Sequence, residues 1–233
     1  MRKPSRGGAY HWREYQIDEL LPVATGEHPI VLLLGCGDAG EKPLLAEMGY
    51  CPFGMDIRRS EGLDVLADAH SLPFADASID LVISMQVFEH LRAPWLAAGE
   101  VSRVLRPGGW FVGSVAFLKP YHGSYFHMTH EGIRQLLLQA GLETDRLFGA
   151  QSLTYSLYGG MIPIASRRAR RWALGSIDRF LFAARTWAWQ YSRRKSPDEP
   201  WRRSHDAYPL SFRSFDRLCR APAVVFRARK ASP

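Results

Sequence analysis

Cysteine is scarce in these 233 residues, which hold only Cys36, Cys51 and Cys219. Their number is odd and their spacing fits neither a metal-binding pair nor a disulfide framework. The sequence therefore predicts a reducing, cytoplasmic setting with no structural zinc. Long apolar runs are missing too. The charged N-terminus, Met1 to Arg6, turns polar and glycine-rich, which argues against a secretory leader. Residues 147–166 carry no charge, yet Gln151, three glycines and Pro163 make them too polar for a bilayer-spanning helix. What remains is a chain with 46% apolar residues, enough for one substantial core.

Acidic residues are scarce in one region only. Residues 1–159 hold 13 Lys/Arg against 18 Asp/Glu, a net of −5, whereas residues 160–233 hold 17 against 5, a net of +12. That division fits an anionic partner for the C-terminal part, whether a membrane surface, a phosphorylated substrate or nucleic acid; it fits equally an arginine-rich solvated surface. Within residues 169–191, Ala173, Ile177, Phe180, Leu181, Ala184, Ala188 and Tyr191 recur at helical spacing. Arg171, Arg179 and Arg185 fall elsewhere on the wheel, with Trp172, Trp187 and Trp189 among them. This is a basic amphipathic helix that either packs on the protein or lies on a membrane, with residues 167–195 as the contact. No Pro-Pro-Tyr/Trp motif for a flipped base is present, which argues against a nucleic-acid substrate.

The rest alternates between strand and helix signals. A short amphipathic helix is expected over residues 10–21. Pro29 to Leu34 is a continuous apolar run closed by glycine, the pattern of a buried parallel strand. A helix over 41–48, strands at 51–57, 79–84 and 110–117, and a helix from Pro94 to Leu105 stopped by Arg106-Pro107-Gly108-Gly109 follow. Thr129 is placed to cap a helix running to Ala140, with Gly141 at its end, and Ala223 to Lys230 reads as a last strand. The order implies an α/β domain with a mostly parallel sheet.

Two features carry chemistry. Gly35-Cys36-Gly37-Asp38-Ala39-Gly40 joins the first strand to a helix, where glycines permit a tight turn and close approach of a cofactor. Asp56 ends the second strand, 21 positions after Gly35, where a carboxylate can accept hydrogen bonds from ribose hydroxyls. A nicotinamide-dependent oxidoreductase would share both. It would not account for Asp68-Ala69, Leu72-Pro73-Phe74, Asp80-Leu81-Val82-Ile83-Ser84, Phe88-Glu89-His90-Leu91 or the Arg106 to Gly109 turn.

With those motifs in that order, residues 29–145 resemble the class I S-adenosylmethionine (SAM)-dependent methyltransferases, in the broad group that includes quinone- and glycan-modifying methylases. The resemblance implies a Rossmann-like, doubly wound, seven-stranded, mostly parallel sheet with a C-terminal antiparallel hairpin. It implies a lead-in at 1–28, a SAM-binding core at 29–153, a basic helical insertion or substrate cover at 154–221 and a final strand and tail at 222–233. Gly35, Cys36 and Gly37 would meet the methionine end of SAM and Asp56 the ribose. Asp68 and the Ala69 amide would meet the adenine, with Ile57 and Leu72 on its faces, and Met85 and Gln86 would lie near the sulfonium. Glu89-His90-Leu91 would begin the acceptor side. In Pro120-Tyr121-His122 the resemblance places His122 as a base, with His127 second; His130 reads as part of a helix start. The acceptor would be a small molecule, a glycan or a lipid-linked group, methylated at oxygen, and no metal ligand set is expected. The sequence departs from the family at Leu33, where an acid is usual, and at Ala39, where a third glycine is common. A non-catalytic binding module on the same fold is the alternative reading.

Overall fold

The computed structural model describes residues 15–17, 19–24, 26–119, 122–150, 167–195, 219 and 221–231. Seven strands form one sheet: β1 (Ile30–Leu34), β2 (Cys51–Asp56), β3 (Val65–Leu66), β4 (Ile79–Met85), β5 (Leu105–Ala116), β6 (Leu142–Ala150) and β7 (Ala223–Lys230). Their order is β3-β2-β1-β4-β5-β7-β6. The first five lie parallel, and β7 runs antiparallel to both β5 and β6. The expected α/β sheet with its C-terminal antiparallel pair is therefore present, and β7 has the limits read from the sequence.

Residue alternation sorts the sheet's two faces. In β1, Val31 and Leu33 enter one core, with Tyr15, Ile17, Leu20 and Leu45; Leu32 and Leu34 enter the other. Leu45 belongs to α1 (Lys42–Glu47). The opposite face is covered by α2 (Pro94–Val104) through Ala97, Ala98, Val101 and Val104, and by α3 (His130–Gln139) through Ile133 and Leu137. Thr129 caps α3 as expected, its hydroxyl accepting from the Gly132 N–H at 3.0 Å, and Gly141 takes the left-handed turn after it (φ +75°). A fourth helix, α4 (Arg167–Lys195), is described within the expected 154–221 segment. Of the lead-in helix over 10–21, part lies outside the described residues. No described helix is long and apolar enough to cross a membrane.

One boundary differs from expectation. Arg106 to Gly109 is not a turn ahead of the strand but a bulge inside it. Leu105 already pairs with Ile79, and the next partners are Leu81 and Trp110. Between these pairs one residue of β4, Asp80, faces four of β5, and the excess loops out where Gly108 adopts φ +76°. The Arg106 guanidinium binds Asp80 at 2.7 Å across this bulge, and Asp80 accepts from the Ile30 N–H at 2.7 Å. A salt link thereby fixes three strand starts.

Candidate active site

From β1 the chain moves outward to β2 and β3, then returns to β4 on the other side of β1. That reversal leaves a crevice beyond the carboxyl ends of β1 and β4, the usual ligand position in an open α/β sheet. Every expected site residue ends a parallel strand or stands in the segment after one.

The glycine loop leaves β1 in the left-handed region at Gly35 (φ +71°) and Gly37 (φ +55°). A Cβ on Gly35 would stand 2.3 Å from a Val87 methyl carbon, whereas one on Gly37 would meet nothing within 4 Å. Gly35 thus closes against the segment after β4 while Gly37 opens outward. The N–H groups of Gly35 and Cys36 both donate to Met55 O, at 2.8 and 3.2 Å. The Cys36 thiol is pushed up to about 11, first by burial and then by Asp56, so it stays protonated and is no nucleophile. Ala39, where a glycine is usual, also sits at positive φ (+52°).

Asp56 Oδ2 accepts from the Gly37 N–H at 3.0 Å and Oδ1 from the Arg58 N–H at 2.9 Å. Each oxygen retains a lone pair, so the carboxylate can still receive two hydroxyl hydrogens. Ile57 follows it, 67% exposed, an apolar side chain that a flat ligand could cover. Asp68 Oδ1 accepts from the His70 N–H at 2.9 Å and meets His70 Nδ1 at 2.6 Å; these hydrogen bonds, backbone first, hold its carboxyl below the usual range. His70 Nε2 accepts from the Ala93 N–H at 3.2 Å, which assigns the ring proton to Nδ1. Ala69 is buried beside them. These donors, acceptors and apolar surface fit an adenosine-type cofactor.

Two apolar residues near the site, Leu72 and Leu33, are buried. Leu72 is only 4% exposed and packs among Met55, Ala69, Phe88 and Val101. Its side chain belongs to the core beneath the Asp68 segment and offers no free face. Its segment is pinned by Arg103, which donates to Leu72 O at 2.9 Å, Phe74 O at 2.8 Å, Asp76 at 2.7 Å and Glu100. Leu33 points into the core on the opposite face, paired with Gly54 and Ile83, and leaves no carboxylate there.

Beyond β4, Gln86 holds φ +56°, a strained value for a non-glycine residue and a common mark of a functional site. Its N–H donates to Ser114 O at 2.9 Å, its Nε2 reaches Ser114 Oγ at 3.3 Å, and Lys119 Nζ donates to its Oε1 at 3.2 Å. Met85 lies beside it, with Ser114 Oγ 3.8 Å from its sulfur.

A second cluster at this edge is built around Glu89, which is fully buried in a 3-10 turn (Phe88–His90). Its Oε1 accepts from the Ala116 N–H at 3.1 Å, and its backbone carbonyl from the Tyr125 and Phe126 N–H groups, at 2.9 and 3.1 Å. One residue therefore ties the end of β5 to the following loop. Burial pushes its carboxyl up to about 7. His122 Nε2 stands 3.5 Å from Glu89 Oε1, an approach longer than a formed hydrogen bond. Burial and the neighbouring Lys119, His90 and His127 hold the His122 ring below its ordinary value, so it is neutral at pH 7. The ring of His122 lies 4.8 Å from His90 and 6.4 Å from His127, which is exposed. Pro120 and Tyr121, the other residues of that motif, lie outside the described residues. Although no metal ligand set was expected, Glu89, His90 and His122 bring their ligand atoms within 4.8 Å of one another. Sequence reasoning missed Lys119, Ser114 and the Lys42–Asp64 ion pair (2.6 Å), whose carboxylate also accepts from the Gly54 N–H at 2.6 Å.

Residues 32–113 match a family described as a methyltransferase domain. That span holds the glycine loop, Asp56, Asp68, Gln86 and Glu89 and stops short of His122. An "Uncharacterized methyltransferase" from Mycolicibacterium paratuberculosis is 31% identical over 142 residues, covering 58% of this chain and 53% of that protein. The chain spans about half the length of that relative. Among solved structures, an S-adenosylmethionine dependent methyltransferase from Mesorhizobium loti superposes with a TM-score of 0.58 at 16% identity, covering 95% of this chain and 98% of that one. Phosphoethanolamine N-methyltransferase 2 from Haemonchus contortus, in complex with S-adenosyl-L-methionine, gives 0.57 at 16%, covering 97% and 53%. At these identities the likeness to the solved structures is one of fold.

Proposed function

We propose that this chain methylates an oxygen of a small-molecule, glycan or lipid-linked acceptor with His122 as the base, a reading supported by the match of residues 32–113 to a methyltransferase-domain family and by the strand order of the sheet. When bound, SAM supplies a methyl group already activated on a sulfonium. What the protein adds is alignment, exclusion of water and removal of one proton.

Each of those tasks has named residues. The backbone of Gly35 to Gly37 accommodates the cofactor's approach, Asp56 accepts its hydroxyl hydrogens, and Asp68 with Ile57 receives its base. Gln86, held by Ser114 and Lys119, fixes the floor between cofactor and acceptor. His122, neutral at pH 7, takes the acceptor's hydroxyl proton on the nitrogen turned away from Glu89. The ionised Glu89 carboxyl then stabilises the imidazolium, the role that a buried acid plays beside a catalytic histidine. His127 is the second candidate, but it is exposed, with its Nε2 3.5 Å from the His122 carbonyl.

The observation that carries this reading is the placement of a fully buried Glu89 within 3.5 Å of His122 at the edge where the glycine loop opens. A non-catalytic module on the same fold draws support from one feature, the apolar Leu33. Calorimetric titration with SAM and S-adenosylhomocysteine separates the two. Micromolar binding that is lost in Asp56→Ala and Asp68→Ala supports the enzyme and justifies screening hydroxylated acceptors for S-adenosylhomocysteine release. A folded protein that binds neither compound supports the module.

A further inference from the structure

Helix α4 spans 29 residues, about 44 Å at 1.5 Å per residue. Its described side chains divide sharply by exposure. Leu174 is buried, and Phe182, Arg185 and Thr186 are half-buried. Trp172 is 73% exposed, Phe180 74% and Trp187 68%, with Ile177 and Leu181 also in the open. At about 100° per residue, these five occupy one continuous half of the helix, opposite the buried flank. Single exposed apolar side chains are ordinary on a protein surface, but a contiguous band with two indoles and a phenyl ring marks a contact surface.

The charge around this band selects its occupant. The helix holds eight arginines and Lys195 against the single Asp178, a net of +8, and the charges cluster at its ends: Arg167, Arg168, Arg170 and Arg171 in the first turns, Arg193, Arg194 and Lys195 in the last. Two copies pairing through the same helix would bring +8 against +8. Nucleic acid would call for cations on the exposed face, where Arg179 is the only one among the described side chains. Anionic lipid satisfies both parts, because the rings and aliphatic groups suit the acyl boundary and the helix's net charge of +8 suits phosphate headgroups. We propose that α4 lies flat on an anionic membrane surface, docking the chain through Trp172, Ile177, Phe180, Leu181 and Trp187. Nothing in this inference depends on the catalytic reading.

The test is cosedimentation of the full chain with phosphatidylcholine vesicles, with and without phosphatidylglycerol, at low and high salt. The variants are Trp172→Ser/Phe180→Ser and, as a control on α3, Leu138→Ser, which is also exposed. Expected are binding to phosphatidylglycerol vesicles that weakens with salt, a blue shift of tryptophan emission, and a loss of at least about tenfold in affinity in the double variant alone. Circular dichroism and the unfolding midpoint verify that each variant is folded. Failure of the wild-type chain to bind anionic vesicles overturns the proposal. So does equal binding by a folded double variant, or a vesicle-independent dimer or an oligonucleotide complex that the same substitutions abolish.

Discussion

Glu89 Oε1 and His122 Nε2 approach to 3.5 Å, although 33 positions of sequence separate the two residues. The carboxyl is pushed up to about 7 and the imidazole held below its ordinary value, so around neutrality the carboxyl passes from protonated to ionised beside a ring that stays neutral. That relationship governs the pH behaviour expected of the chain.

If His122 is the base and ionised Glu89 its partner, kcat/KM rises with pH through about 7 and then levels off. Glu89→Gln removes that limb and leaves only the one set by His122, at lower pH. His122→Ala lowers turnover about 10²- to 10⁴-fold. The pH–rate profiles of the three proteins check this, and an unchanged profile in Glu89→Gln would remove Glu89 from the mechanism.

Stability carries the same signature with a definite sign. A carboxyl that is raised in the folded state is protonated more readily there than in the unfolded chain. Its ionisation therefore costs stability as pH climbs from 4.5 to about 7, on the order of 3 kcal/mol in all. His122 acts the other way, losing stability as pH falls below its ordinary value. Because Glu89→Gln lacks only the first effect, urea unfolding at pH 5 and pH 8 should show the variant gaining on the wild type at the higher pH.

Gly35→Ala is expected to destabilise by about 1–3 kcal/mol, because it combines a left-handed backbone with a methyl 2.3 Å from Val87. Adding Val87→Ala removes the collision but not the backbone strain, so the double variant should recover only part of the loss. Thermal unfolding distinguishes partial recovery from none.

Arg103→Met leaves two carbonyls and two carboxylates without their shared donor, and should cost about 1–3 kcal/mol. As the same segment supports the Asp68 side of the site, SAM affinity measured by calorimetry should fall alongside the unfolding midpoint.

Chelation tests the second chemistry open to the acceptor side. With proton transfer as the role of Glu89 and His122, turnover is unchanged by EDTA. Loss on chelation and recovery with a divalent ion would instead assign Glu89, His90 and His122 to a metal.

Local patterns in the sequence determined a great deal here. The apolar alternation of β1, the cap and stop of α3, the limits of β7 and the glycine loop all depend on neighbours within a few residues, so the chain states them directly. The positions of Asp56 at the end of β2 and of Asp68 just past β3 were legible for the same reason. Contacts between segments that meet only because of strand order were not. Leu72, apolar and close to the adenine motif, looked like a cleft residue, but α2 and β2 close over it. The Arg106 to Gly109 bulge required the β4 register. Lys119 reaches Gln86, and Glu89 reaches Ala116 and His122, because β4 and β5 lie side by side and release their following segments at one edge. Sequence spacing sets what each strand end can offer; the burial and strand adjacency that turn an ordinary glutamate into a high-pKa partner of a distant histidine arise only when the sheet assembles.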